Sequence, residues 1–440
     1  MIFVFYFFAL ILVFLGYKSL RGGIDYLNYF KKELVKTEPD FMPYVSVIVP
    51  CRGVDEGFRR NLSALFEQDY PKYEIIFVFD DEKDQAFRAV EDLVESNTDK
   101  FRADETGNSP GKIIDVLNGS NVPLSQRADI EKLVTVKYVI AGRAEDEGQK
   151  VRNLRQAVLE TAAHSEIFVF VDSDARPTAN WMRDLIAPLE DETVGAATGY
   201  RWFISKSGGF SSQLRSVWNA SIASALGANG KSNFCWGGAT AIRRATFEKL
   251  NIREKWRGTL SDDFTVTRVL KEASLPICFV PQALTATVED CSFSELLEFT
   301  TRQMKITRVY APHLWKASFA GSFLFSFTFW TGVLLLFFVS GWQFQLTLAF
   351  LLVIFALGAG KAYLRLNAVK LVLESYEKEL NKSFLWQMTL WTITPILFFY
   401  NDFASLLSRK IIWRGIEYEL KSAGETVIIS ENVEFNHLTC

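Results

Sequence analysis

Three long apolar stretches interrupt a chain of otherwise mixed polarity. Met1–Tyr17 carries no charged residue, residues 317–360 stay uncharged, and residues 383–401 form a third apolar run interrupted by Pro395. Because one membrane span needs about 20 apolar residues, the second stretch is long enough for two helices joined by a turn near Ser340. The pattern predicts an N-terminal transmembrane anchor over residues 1–20 and a transmembrane hairpin over 317–360. A cleaved signal peptide is the alternative for the first stretch, but it lacks a basic start and a small-residue cleavage site.

Basic residues beside these stretches predict their orientation. Lys18, Arg21 and Lys31 follow the first span and no basic residue precedes it, so the next domain should face the cytosol. The hairpin returns the chain to that side, where a cytosolic connector over 361–382 follows. If residues 383–407 also spanned, the basic residues of the C-terminal tail, 408–440, would lie outside. A re-entrant or interfacial segment is therefore expected at 383–407, with a true span as the alternative.

Between the apolar ends, short β-rich runs alternate with helical stretches. Such alternation predicts a mostly parallel sheet with helices on both faces over residues 43–290, and it predicts ligands beyond the carboxyl ends of the strands. The segment 104–127 is rich in Gly, Ser, Asn and Asp, which predicts a mobile surface loop. The predicted strands are Val45–Val49, Glu74–Phe79, Val136–Ile140, Ile167–Val171 and Val194–Gly199, and the predicted helices include Phe58–Gln68 and Lys150–Ala163.

Composition excludes two classes of protein. Lys and Arg total 48 against 51 Asp and Glu, a net charge of −3, so the chain lacks the basic excess of nucleic-acid-binding proteins. The five cysteines are scattered without metal-binding spacing, which favours a reducing compartment over a disulfide framework.

Three acidic clusters mark the candidate chemistry. Asp80–Asp84 and Asp172–Asp174 follow apolar runs, and Asp262 and Asp263 open a helix-like run. Two carboxylates on one turn can share Mg²⁺ or Mn²⁺, which would bridge a diphosphate, and a further carboxylate can accept a proton from an attacking hydroxyl. Helix capping or simple solvation is the alternative for each cluster taken alone.

The order of these motifs resembles a known enzyme family. Residues 45–52, the pattern from Asn61 to Glu74, and Lys150–Leu154 resemble the donor-binding motifs of membrane-bound inverting GT-A glycosyltransferases of the family 2 type. The similarity is greatest to the ceramide and hopanoid glucosyltransferase branch, and the segment Trp413–Gly415 resembles that branch as well. Cellulose and hyaluronan synthases are more distant.

The resemblance implies roles at matching positions. The nucleotide-contacting aspartate falls on Asp81, with Asp80 as the other register, the metal pair on Asp172 and Asp174, and the catalytic base on Asp263, with Asp262 as the other candidate. Pro50, Arg52 and Lys150 fall on the donor side, together with Arg302 and Lys305. The segment Trp236, Gly237 and Gly238 resembles the acceptor side.

One departure from the family pattern concerns the acceptor. The final motif ends in Ile306 where the family has Trp, which disfavours a polysaccharide acceptor. On the predicted interface helix of residues 291–316, apolar residues including Phe293 and Met304 form one stripe, while Arg302 and Lys305 lie on the far side. A core-packed amphipathic helix is the alternative.

These observations predict an inverting hexosyltransferase at the cytosolic face of the bilayer. It would transfer a hexose, with glucose favoured, from a UDP-sugar to a membrane lipid such as ceramide, diacylglycerol or a sterol-like lipid, with Mg²⁺ or Mn²⁺ as cofactor. The alternatives are a processive polysaccharide synthase, for which three or four spans provide little material, and a catalytically inactive membrane scaffold.

Overall fold

The computed structural model describes residues 2–36, 40–104, 112–116 and 132–431, and the chain divides into two compact units. The membrane unit comprises Met1–Val35, Trp202–Ala228 and Val288–Arg409. The sheet unit comprises Lys36–Arg201, Asn229–Thr287 and Lys410–Cys440.

An eight-stranded sheet forms the main layer, in the order β3-β4-β2-β1-β5-β7-β6-β8. The pairs of β1 with β2 and β5, and of β4 with β2 and β3, are parallel, whereas β7 runs antiparallel to β5 and β6. This topology confirms the predicted mostly parallel α/β class. The strands are β1 Val45–Pro50, β2 Lys72–Phe79, β3 Lys112–Val116, β4 Lys132–Ile140, β5 Ile167–Phe170, β6 Ala196–Ile204, β7 Thr240–Arg243 and β8 Ile277–Val288.

Helices pack on this sheet through short apolar faces. Val151 and Leu154 of α4 share one buried core with Phe168 of β5 and with Val266 and Leu270 of α9, which holds the first turns of both helices near the end of β5. The helices of the sheet unit are α2 Phe58–Phe66, α3 Gln85–Asp104, α4 Gln149–Ala157, α5 Trp181–Ile186, α7 Arg244–Lys249, α8 Ile252–Lys255 and α9 Asp262–Glu272, with a 3-10 turn at Ala187–Glu190.

Two local predictions were wrong. Helix α4 ends at Ala157 rather than at residue 163, because 3-10-type bonds tighten its last turn and the Ala162 N–H then donates to the Glu74 carboxylate at 2.7 Å. The expected loop at 104–127 contains strand β3 at Lys112–Val116. Its apolar pair, Ile113 and Ile114, has mostly polar neighbours along the sequence, so the strand was not recognised. The rest of that loop lies outside the described residues.

The segment expected to be only a C-terminal tail forms a second sheet. Strands β9 Lys410–Trp413, β10 Ile416–Ser422 and β11 Glu425–Glu431 pair antiparallel in the order β11-β10-β9 within the sheet unit. The turn between β9 and β10 contains Arg414 and Gly415, both with positive φ. His437 and Cys440 lie outside the described residues.

Among the residues that the structure describes, three helices are long and apolar enough to cross a membrane: α1, α11 and α12. Helix α1 continues to Leu34, well beyond the predicted anchor. The helices of the membrane unit are α1 Ile2–Leu34, α6 Phe210–Ala223, α10 Phe293–Tyr310, α11 Pro312–Leu335, α12 Gly341–Lys370, α13 Glu377–Lys382, α14 Phe384–Thr389 and α15 Thr394–Leu407, with 3-10 turns at Glu374–Tyr376 and Leu390–Thr392.

Helix α10 differs from its predicted amphipathic pattern. Phe293 is 54% exposed, whereas Arg302 is 8% exposed and belongs to the buried side with Met304. The Arg302 guanidinium lies 5.7 Å from the centre of the Phe299 ring and 3.9 Å from the Glu298 carboxylate, so its long side chain is accommodated among apolar neighbours. Arg302 therefore lies with the buried residues of α10 and not on the side opposite the apolar stripe, where the sequence predicted it.

Candidate active site

The carboxyl ends of three adjacent parallel strands carry the first candidate residues. β1 lies between β2 and β5, and the chain leaves these strands at Pro50, Asp80 and Asp172. Parallel strands bring their carboxyl ends to one edge of the sheet. Residues that are far apart in the sequence thus meet at this edge.

Asp80 is the buried member of the first acidic cluster. It forms an ion pair with Arg52, whose Nε donates to the Arg414 carbonyl at 3.0 Å. Burial raises the pKa of Asp80, and Arg52 partly offsets this rise. Arg414 in turn donates to the two Asp55 carboxylate oxygens from its two terminal guanidinium nitrogens. The β9–β10 turn is thereby tied to the loop after β1.

The other residues of that cluster lie nearer the surface. Asp81 accepts a hydrogen bond from the Lys83 N–H at 2.9 Å and lies 4.0 Å from Arg143. The Asp84 carboxylate accepts from the Gly53 and Ala86 N–H groups at 2.9 and 2.8 Å, which caps the start of α3 and orders the loop after β1. Asp80 and Asp81, the two candidates for the nucleotide-contacting aspartate, both lie at the end of β2.

Lys150 joins the second acidic cluster to the third. Its ammonium nitrogen lies 2.7 Å from Asp172 Oδ1 and 3.3 Å from Asp262 Oδ1. Burial alone would lower the pKa of Lys150, but the two carboxylates raise it above its usual range. Burial alone would raise the pKa of Asp172, but Lys150 holds it below its usual range. The lysine is therefore a permanent cation between two carboxylates.

Asp174 has one paired and one unpaired oxygen. Oδ2 accepts from Arg201 at 3.0 Å, whereas Oδ1 is buried without a hydrogen-bond partner. Burial raises the pKa of Asp174 despite Arg201. An unpaired buried carboxylate oxygen beside Asp172 suits a divalent cation. The described residues contain no group of three His, Cys, Asp or Glu side chains that could hold a metal ion.

Asp262 and Asp263 have different surroundings at the start of α9. Ser261 caps the helix, and Asp263 accepts from the Ser261 hydroxyl and from the Phe264 N–H at 2.7 Å. Asp262 is buried beside Lys150, and burial raises its pKa to about 6, a rise that Lys150 opposes. Asp263 is only partly buried, so an incoming hydroxyl reaches its carboxylate more readily.

Gly237 of the Trp-Gly-Gly segment lies against Lys150. A Cβ on Gly237 would lie 2.6 Å from Lys150 Nζ and 2.7 Å from Asp262 Oδ2, and a Cβ on Gly238 would lie 2.3 Å from the Trp236 ring. The glycines thus permit a close approach to protein side chains. The Arg201 guanidinium lies over the Trp236 ring, 5.2 Å from the centre of the ring.

The sequence prediction missed several residues of this cluster. Arg201 and Asp55 carried no motif, and Arg414 was recognised only as part of a family-like segment. Arg201 and Arg414 are single charges beside apolar residues, and Asp55 is one of several charges in the segment after β1; both patterns are common on protein surfaces. Arg302 and Lys305 belong to α10 of the membrane unit, and their donor-side role stays a prediction.

The chain is similar in sequence to one known enzyme family and to two of its relatives. The sequence model of glycosyl transferase family 21 matches residues 5–104 and 132–426. Ceramide glucosyltransferase 1 of Caenorhabditis elegans is 38% identical over 63 residues, 14% of each chain. The ceramide glucosyltransferase of Komagataella phaffii is 30% identical over 73 residues, 17% of this chain and 14% of that protein. Both alignments therefore span about a seventh of these relatives.

Two solved structures are similar to this chain at low TM-scores. The mannosyltransferase PcManGT from Pyrobaculum calidifontis, in complex with GDP-Man and Mn²⁺, has a TM-score of 0.42 and 18% identity, covering 91% of this chain and 98% of that one. Glucosyl-3-phosphoglycerate synthase from Mycobacterium tuberculosis, with Mn²⁺ and UDP-glucose, has a TM-score of 0.32 and 12% identity, covering 63% and 80%.

The extent of the family match settles the classification. An α/β sheet with acidic clusters at its strand ends, matched by a glycosyltransferase family over most of its length, identifies this protein as a glycosyltransferase. The chain belongs to glycosyl transferase family 21. The predicted relationship to the ceramide glucosyltransferase branch is confirmed.

Proposed function

We propose that this chain transfers glucose from UDP-glucose to a hydroxyl group of a membrane lipid, with inversion at the anomeric carbon. The lipid would be ceramide, diacylglycerol or a sterol-like molecule. The observation that carries the proposal is the contact of Lys150 with both Asp172 and Asp262, because it joins one candidate metal ligand to the acidic pair that contains the candidate base, Asp263. The names of the two curated relatives, both ceramide glucosyltransferases, support the sugar and the lipid.

The base acts on the acceptor. As the acceptor oxygen bonds to the anomeric carbon, the bond to the diphosphate breaks on the opposite face, and the hydroxyl proton passes to Asp263. The Ser261 hydroxyl and the Phe264 N–H hold Oδ1 of Asp263, and the Gly237 N–H lies 3.4 Å from Oδ2, the oxygen that would accept the proton. Asp262 is the alternative base, but its carboxylate already contacts Lys150.

The donor side must accommodate the negative charge of the leaving diphosphate. Asp172 and Asp174 would hold Mg²⁺ or Mn²⁺, which neutralises that charge when bound. Lys150 and Arg201 orient these two carboxylates, and Lys150 lowers the pKa of Asp172 and so keeps it ionised. Arg52, with Asp80 or Asp81, would contact the nucleotide at the end of β2, and Trp236 would border the acceptor.

Asp263→Asn tests the assignment of the base. The variant should lose lipid glucosylation by about 10²–10⁴-fold, the usual contribution of a general base. It should keep its affinity for UDP-glucose, because donor binding does not depend on the base. The measurements are calorimetry with UDP-glucose and chromatography of extracted lipids, and Asp92→Asn, which changes an exposed carboxylate, is the control.

Four results would change the proposal. Retained transfer in Asp263→Asn with loss in Asp262→Asn would move the base by one residue, and retained transfer in both would refute the mechanism. A polymeric sugar product on gel filtration would favour a processive synthase instead. If the unmodified chain shows no metal-dependent hydrolysis of the donor, an inactive scaffold would be favoured.

The catalytic domain should face the cytosol, with membrane segments at residues 1–20 and 317–360 and a re-entrant segment at 383–407. The basic residues after the first span support this orientation. In a background without native cysteines, Lys31→Cys and Glu145→Cys should resist an impermeant thiol reagent in intact cells and react after permeabilisation. Labelling from outside would refute this topology.

A further inference from the structure

A cavity of about 320 Å³ lies within the membrane unit, among α1, α6, α11, α12, the 3-10 turn at Leu390–Thr392 and the start of α15. This volume falls at the lower end of the range of ligand pockets, roughly 300–1,000 Å³. Leu12, Phe325, Ile354 and Phe398 are among its apolar walls. Gly321 lines the cavity and is exposed, so the cavity reaches the apolar surface of the unit.

One end of this cavity is cationic. Lys361 and Arg365 line it from successive turns of α12. Within the described parts of the chain, neither side chain forms an ion pair. Arg365 is 4% exposed; among the described residues its side chain donates one hydrogen bond, to the Gln387 amide oxygen at 3.3 Å, and its Nε is buried without a partner. A buried cation without a counter-charge is costly, so the cavity is incomplete without an anion.

The cations lie where the apolar spans end. Helices α1 and α12 pack side by side, with Gly16 beside Leu357 and Gly360 beside Leu20. The first charged residue of α1 is Lys18 and that of α12 is Lys361, so both helices become polar at the same level. Lipid headgroups occupy this depth of a bilayer.

The occupant must therefore combine an apolar chain with an anionic group. We propose that the cavity binds an anionic phospholipid, with one acyl chain between the apolar walls and its phosphate against Lys361 and Arg365. Ceramide, diacylglycerol and sterols are neutral and would leave both cations unpaired, so this site is distinct from an acceptor site. The bound phospholipid would stabilise the packing of α1, α11 and α12.

The test is native mass spectrometry of the full chain in detergent, titrated with phosphatidylglycerol or phosphatidylcholine. We expect a bound phosphatidylglycerol in the unmodified chain and weaker retention of phosphatidylcholine. Lys361→Gln should lower the affinity for phosphatidylglycerol by about tenfold, as expected when a charge-assisted bond is lost. Lys18→Gln is the matched control, because it removes an exposed cation at the same level that does not line the cavity.

A second variant leaves the cations intact. A Cβ on Gly321 would meet no atom within 4 Å, so Gly321→Leu should fold and fill part of the cavity. It should weaken phosphatidylglycerol binding while Gly321→Ala does not. Thermal unfolding in the same detergent checks that each variant is folded.

Three results would overturn the proposal. Equal affinity for phosphatidylglycerol in the unmodified chain and in Lys361→Gln would remove the role of the cations. Displacement by inorganic phosphate alone would indicate an anion site without a lipid. Equal competition by diacylglycerol would indicate a neutral acceptor site instead.

Discussion

The acidic cluster of the sheet unit and the cavity of the membrane unit handle buried charge in different ways. In the sheet unit, buried cations face carboxylates: Lys150 faces Asp172 and Asp262, and Arg201 faces Asp174. In the cavity of the membrane unit, Lys361 and Arg365 have no acidic partner among the described residues. The paired network holds its geometry before any substrate binds, whereas the unpaired cations require an anion from outside the chain. Charge pairing therefore separates a preorganised site from a site that its ligand completes.

The largest expected effect comes from breaking the network of the sheet unit. Asp172→Asn or Asp174→Asn should lower turnover by about a hundredfold or more, because the candidate metal ligand loses its charge and the diphosphate loses its counter-charge. The measurement is UDP-glucose turnover over a titration of Mn²⁺ and of Mg²⁺. Near-native turnover at limiting metal in either variant would disprove the metal assignment.

A smaller effect should come from displacing the network without changing its charge. Gly237→Ala would place a Cβ 2.6 Å from Lys150 Nζ, so the lysine or Asp262 must move. We expect turnover to fall about tenfold, equivalent to about 1.4 kcal/mol of barrier, with the fold retained. Gly424→Ala is the control, since a Cβ there would meet no atom within 4 Å. Equal turnover in both variants would mean that the close approach is not required.

The smallest effect should come from a carboxylate of the membrane unit held by hydrogen bonds alone. Asp290 accepts from the Ser205 hydroxyl at 2.5 Å and from the Ser207 N–H at 2.8 Å. Burial alone would raise its pKa, but these bonds lower it below its usual range. Its contribution to stability is therefore present above about pH 4, the usual aspartate pKa, and is lost as the pH falls through its folded-state value.

Asp290→Asn should lower the free energy of unfolding at pH 7 by about 1 kcal/mol at most, because the site is partly exposed. The difference from the unmodified chain should shrink below about pH 4. Thermal unfolding over a pH series measures it. A difference that grows as the pH falls would contradict the lowered pKa.

Local sequence patterns were sufficient to predict the strands that carry the site. Compact Val, Ile and Phe runs indicated β1, β2 and β5, and the acidic residues at their ends indicated where chemistry would occur. Buried parallel strands have this composition because both faces are covered. The same rule missed β3, whose short apolar core is surrounded by polar residues, and it missed the C-terminal sheet, whose strands have one exposed face.

The sequence by itself determined the class of the sheet, the apolar helices and the position of the acidic clusters, since each follows from a local periodicity or run. Only the tertiary structure decided which charges meet. Lys150 lies between Asp172 and Asp262 because α4 and α9 pack on β5, and Arg414 reaches Asp55 because the C-terminal sheet folds back onto the sheet unit. The burial of Arg302 on α10 was likewise decided by packing. Such pairings join residues distant in sequence, and no local pattern encodes them, because the energy of a buried charge depends on its neighbours in space.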